Sequence, residues 1–207
     1  MQTYSLPIKP NNTTNIIMKK LTLALFITAI SFCARAQTTW KADPQHSRVA
    51  FTIDHLGITD VTGYFSKFDI AVTTPKADLT DAKFTFSADV ATINTTVEMR
   101  DKHLKSPDFF DVAHHDKITF TSTSISKKSD KQYTLTGKLT MHGVTQTASF
   151  DMVYKGVAKN PAANNAEVMG IQFTGVVKRS DYALGPKFPA PMLSDEVTIK
   201  VDGEFKK

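Results

Sequence analysis

Cysteine is nearly missing. The 207-residue chain has one, Cys33, and it lies in a segment with the character of a removable leader. Its loss excludes disulfides, cysteine-ligated zinc and thiol chemistry together. An apolar run long enough to cross a bilayer is also lacking, since Leu21 to Phe32 is about a dozen residues where about 20 are needed. A lasting excess of positive charge is missing too. The chain has 25 basic and 20 acidic residues, but Lys9, Lys19, Lys20 and Arg35 all precede Gln37 and no acid does, so 21 bases face 20 acids beyond that point. Nucleic-acid recognition, which needs a clustered basic face, is therefore not expected. Neither H-E-x-x-H nor comparable metal-ligand spacing occurs. His114 and His115 are adjacent and on a strand would point to opposite sides, so no metal site is expected.

The N-terminal residues carry a targeting pattern. Met18-Lys19-Lys20 is a basic n-region, Leu21 to Phe32 an apolar h-region, and Ala34-Arg35-Ala36 a small-x-small cleavage site. Residues 18–36 are thus expected to be a signal peptide, residues 1–17 an extension upstream of the true start, and residues 37–207 the mature domain, with export to the periplasm or the extracellular space. Phe32 stands where lipoprotein processing at Cys33 would need a small residue, which argues against an acylated anchor. About 170 residues suffice for a core that needs no disulfides.

From Thr38 onward the chain alternates with period 2, punctuated by turns. Val49, Phe51 and Ile53 share one face of a strand, as do Phe84, Phe86 and Ala88 of another. Ile118 and Phe120 alternate with Thr119, Thr121 and Thr123. Tyr133 to Met141, Ala148 to Tyr154, Met169 to Val177 and Val197 to Val201 repeat the pattern, and a short strand near Tyr64 to Val72 makes about eight. Short connections favour antiparallel neighbours. Only Thr96 to Lys105 reads as a helix, so a βαβ fold is excluded and a sandwich or a closed barrel remains. Gly137 and Gly175 within apolar faces suit a curved sheet.

A resemblance narrows the choice. Trp40-Lys41-Ala42-Asp43-Pro44-Gln45-His46-Ser47, then Val49-Ala50-Phe51, His55-Leu56-Gly57 and Gly63-Tyr64-Phe65, resemble the opening of the YceI-like polyisoprenoid-binding family. Met99-Arg100-Asp101, His103-Leu104-Lys105-Ser106, Asp108-Phe109-Phe110-Asp111, Gly137 to Thr145, Arg179-Ser180-Asp181-Tyr182 and Asp195-Glu196-Val197 follow in family order. The chain departs from the pattern at His115-Asp116-Lys117 and at Asn94-Thr95-Thr96. The resemblance implies an all-β protein: an antiparallel, eight-stranded, lipocalin-like β-barrel with one short helical insert and a cavity for a polyisoprenoid or other long-chain lipid.

On that basis Phe51, Ile53, Phe84, Phe86, Phe109, Phe120, Leu139, Met141, Phe150, Met152 and Phe173 are the expected lipid-contacting residues. Met141, Met152 and Met169 would let the wall adapt to a flexible chain. The same side chains could instead fill a solid core. Arg100, Asp101, His103 and Arg179 either receive a polar head group at the mouth or clamp the insert to the barrel through an ion pair, with Asp101, Asp108 and Asp181 as candidate partners. No catalytic residue and no cofactor other than the lipid is expected. Asp43, His46 and Ser47 have the residue types of a triad but sit too close in sequence to assume its geometry. An exported metal-binding protein or hydrolase using His and Asp residues near the mouth is the alternative. Neither nucleic acid nor stable membrane insertion is expected, and a homodimer is compatible with the sequence.

Overall fold

The computed structural model describes residues 1–5, 37–76 and 78–207. The signal peptide expected at 18–36, with Cys33, lies outside the described residues. Residues 37–207 form one unit built from eleven strands: β1 (Thr38–Ala42), β2 (Arg48–His55), β3 (Thr59–Phe65), β4 (Phe68–Thr74), β5 (Lys83–Asp89), β6 (Ile93–Asn94), β7 (Lys117–Lys127), β8 (Gln132–Met141), β9 (Val144–Asn160), β10 (Ala166–Lys178) and β11 (Leu193–Lys206). Six of these are halves of interrupted staves. Both β1 and β2 pair with β11, β3 continues into β4, and β5 continues into β6. The result is eight antiparallel staves in sequence order. The β1–β11 pairing closes the sheet and removes its free edges. Each alternating segment falls in one of these eight staves, and across each break the inward set switches between odd and even positions, from Trp40 to Val49, from Phe65 to Ile70 and from Ala88 to Ile93.

The interior is filled at one end and hollow at the other. Val72, Leu79, Phe84, Tyr133, Met152, Met169, Ile171 and Phe205 are all among the most deeply buried side chains. The β4–β5 connection folds over this end, with Leu79 buried and the Tyr133 hydroxyl donating to the Asp78 carbonyl at 2.9 Å. Helix α1 (Glu98–Leu104) belongs to the β6–β7 connection beside the hollow half. No side chain caps its first turn. Instead the Asp101 carboxylate reaches back to accept from the backbone N–H and hydroxyl of Thr95, at 2.8 and 2.6 Å.

Where the first stave breaks, between β1 and β2, buried Asp43 accepts from His46 Nδ1 at 2.7 Å and pairs with Lys206. Lys206, and then His46, pull its carboxyl from 3.8 down to about 2. A carboxylate whose folded pKa is depressed adds stability above its ordinary pKa and loses it as pH falls through the folded value. The Asp43→Asn variant should therefore be less stable than wild type at neutral pH. It should also lose less stability between about pH 4 and pH 2, as read from urea midpoints across that range.

Candidate binding cavity

The hollow half encloses about 490 Å³, within the size range of small-molecule sites. Its wall is made by residues of all eight staves and by two mouth segments, residues 103–110 and 184–193. Phe51, Ile53, Phe84, Phe86, Phe109, Phe120, Leu139, Met141, Phe150 and Phe173 all line it. Met152 does not. Its partners across β8 and β10 are Tyr133 and Phe173, and at 0% exposure it belongs to the packed end with Met169, so these two methionines are core rather than wall. Alternation assigns a residue to the inward face but not to a height along the barrel axis.

Glycines set the shape of the wall. The Phe120 ring lies over Gly137 and the Phe150 ring over Gly175, and the two rings meet edge to face at 5.4 Å. A Cβ at Gly175 would stand 2.5 Å from Phe150 Cδ1 and 3.1 Å from the Ser149 carbonyl. Absence of the side chain lets a ring lie flat on the neighbouring strand instead of projecting across the lumen.

The polar groups gather at the mouth. Arg100 Nε and Nη2 donate to the hydroxyl and carbonyl of Thr95, each at 2.8 Å. Among the described residues Arg100 has no carboxylate partner within ion-pair distance, so the expected pairing with Asp101, Asp108 or Asp181 is not formed. Asp101 is spent on Thr95, which is 2% exposed, and does not line the cavity. The order is Asp101 to Thr95 to Arg100, with the guanidinium at the cavity wall.

Arg179 has a different role. At 8% exposure it donates to five backbone carbonyls: Ser194 (2.8 Å), Leu184 (2.6 Å), Gly185 (3.2 Å), Phe188 (3.0 Å) and Leu193 (3.1 Å). Burial lowers its pKa, yet an arginine side chain stays charged. All its donors are used to shape the loop between β10 and β11.

That loop meets the β6–β7 connection over the cavity. Phe109 stacks on Phe188 at 5.1 Å, and His103 packs edge-on against both rings. Lys187 Nζ donates to Asp108 at 2.7 Å and His103 Nε2 donates to the other oxygen at 3.3 Å; Lys187 and then His103 hold the Asp108 carboxyl below its ordinary range. Phe188 and Leu184 were not legible as lining residues, because they lie in a proline-rich connection without period. An aromatic residue set between prolines was the available signal.

Asp43, His46 and Ser47 do not form a triad. The Asp43–His46 bond exists, but the Ser47 hydroxyl donates to the Glu204 carbonyl and accepts from its N–H, and none of the three lines the cavity. Among the described residues no helix is long and apolar enough to cross a membrane.

Known proteins are similar to this chain in sequence or in fold. A UPF0312 protein of Staphylococcus aureus strain MSSA476 is 36% identical over 172 residues, covering 81% of this chain and 97% of its own. The crystal structure of Burkholderia cenocepacia BcnA matches with a TM-score of 0.69 at 25% identity, covering 80% of this chain and 99% of that one. A polyisoprenoid binding domain from Saccharophagus degradans has the same fold, with a TM-score of 0.59 at 14% identity over 81% of this chain and 97% of its own. The YceI-like domain pattern matches residues 40–205, and the chain belongs to the YceI-like family.

Proposed function

We propose that this protein is an exported binding protein that holds a polyisoprenoid or another long-chain amphiphilic lipid, with its tail in the barrel and its polar end at Arg100 and His103. One observation carries the reading: an apolar, closed-ended cavity of about 490 Å³ meets a guanidinium at its mouth that is oriented by Thr95 and has no carboxylate partner. Two donor groups of Arg100 are held by Thr95, and among the described residues Nη1 has no hydrogen-bond partner. That leaves part of the planar donor fork for an anionic or phosphorylated head. Burial of about 400 Å² of lipid surface gives on the order of 10 kcal/mol gross at about 25 cal/mol per Å². Association and ordering costs of several kcal/mol leave a useful surplus. No catalytic group is required to account for such a cavity, which favours carrying, storing or sensing over turnover. The polyisoprenoid binding domain from Saccharophagus degradans supports the ligand class only through the shared fold.

Native mass spectrometry with solvent extraction should find a long-chain lipid on the purified protein. A preparation that carries none, and takes up neither a polyprenyl phosphate nor a fatty acid after delipidation, counts against the proposal. Arg100→Met tests the orientation of the ligand. It should weaken binding of the phosphate-headed lipid by about ten-fold or more while the melting temperature of the lipid-free protein changes little, because no carboxylate is left without its partner. A large fall in lipid-free stability would assign Arg100 to the clamp instead.

A further inference from the structure

A second cluster of chemistry-bearing side chains lies outside the cavity wall, where the β6–β7 connection meets the β8–β9 turn. Asp111, His115 and His142 each offer a ligand atom, and the three atoms lie within 4.8 Å of one another. Sequence spacing hides this group. His115 N–H donates to the Asp111 carbonyl at 2.9 Å, so the two residues stand i and i+4 on one side of a turn rather than on opposite sides of a strand. His142 comes from the two-residue turn between β8 and β9, with φ of 49°, followed by Gly143 at 73°. Its ring meets that of His115 edge to face at 4.9 Å.

We propose that Asp111, His115 and His142 bind a divalent transition-metal ion, with zinc the best match to two imidazoles and one carboxylate. Three features suit the assignment. His142 Nδ1 donates to the Tyr182 carbonyl at 3.2 Å, which fixes the tautomer and leaves Nε2 with its lone pair for a metal. His114 Nδ1 donates to one Asp111 oxygen at 2.8 Å and orients the carboxylate from behind. A metal holding ligands at about 2.0–2.2 Å spaces them about 3.4 Å apart, so side-chain rotations of about an ångström close the set. Among the described residues a second cluster with ligand-type side chains, Asp43, His46 and Glu204, lacks this fit. There the Lys206 ammonium already sits on the Asp43 carboxylate and supplies the positive charge.

The position gives the ion a structural role. Asp111 follows Phe109 and Phe110 of the mouth segment, His142 follows cavity-lining Met141, and Tyr182 sits beside Arg179. A bound ion ties the first two of these segments together, and the His142 hydrogen bond carries the link to the Tyr182 segment, in the manner of a structural clip. This does not depend on which lipid, if any, the cavity holds.

The test is a calorimetric titration of the EDTA-treated, untagged protein with zinc chloride, repeated with cobalt chloride to read ligand-field absorption. One equivalent should bind, and the melting temperature should rise with zinc concentration. His115→Gln and His142→Asn should each weaken binding by at least about ten-fold. Asparagine keeps the left-handed turn at 142 accessible, and His115→Gln decides alone if the other variant does not fold. His46→Gln should leave the affinity unchanged. Failure of the wild-type protein to bind, binding undiminished in His115→Gln and in any folded His142→Asn, or loss of binding in His46→Gln overturns the site.

Discussion

Arg179→Met should destabilise the protein by about 3–5 kcal/mol, because it removes five hydrogen bonds from a buried cation and leaves the carbonyls of Leu184, Gly185, Phe188, Leu193 and Ser194 without their donor. Water entering the gap recovers only part of that loss. For a domain of this size the melting temperature should fall by roughly 10 °C. The loop between β10 and β11 should also become the first site of proteolytic cleavage, since this side chain binds five carbonyls in and beside it. Arg179→Lys should recover little, because an ammonium has three donors and no planar fork. An unchanged melting temperature by circular dichroism would show that the loop is held by Phe109, Lys187 and their contacts instead.

Phe120→Asp should be more damaging still. Phe120 is 6% exposed, packs against Phe150, lies over Gly137, and pairs across the sheet with Phe86 and Leu139. Removing the ring alone costs about 3–5 kcal/mol. An aspartate then places a carboxylate in an apolar space where it must either stay charged without a partner or take up a proton. The combined cost approaches the entire stability of a typical domain, about 5–15 kcal/mol, so little folded protein is expected at neutral pH. Protonation relieves the charge, and the folded fraction should rise as pH is lowered toward the range where carboxyl groups bind protons. Phe120→Ala separates the two contributions: it should fold with reduced stability and without that pH response. Equal urea midpoints for the aspartate and alanine variants at neutral pH would rule out a buried charge penalty at this position.

Eight staves and their antiparallel order were legible because inward residues recur at every second position within each strand and the connections are short, and the single helical insert because it departs from that period; the breaks after Ala42, Phe65 and Asp89, where the inward set changes parity, were not. Nine of the wall residues were legible for the same reason, and the tenth, Phe109 in the β6–β7 connection, from the resemblance alone. Met152 was not, because position along the axis depends on how strands are staggered and on which end the β4–β5 connection fills. Arg100 and Arg179 were legible as important charges but not as different ones. Thr95 orients the first at the cavity wall, and five carbonyls brought together by a loop enclose the second.

The amino-acid sequence by itself determined the all-β class, the inward and outward faces, the place of the helix and the lack of cysteine beyond Cys33, since each depends on residue type or on separations of a few residues. Only the tertiary structure decided which end of the barrel is hollow, which of the two cavity-lining arginines has all its donors taken by carbonyls, and that Asp111, His115 and His142 meet. Those outcomes depend on contacts between groups far apart in sequence, such as His142 with His115 and Phe109 with Phe188, whose geometry is set by strand stagger and loop packing rather than by any local period.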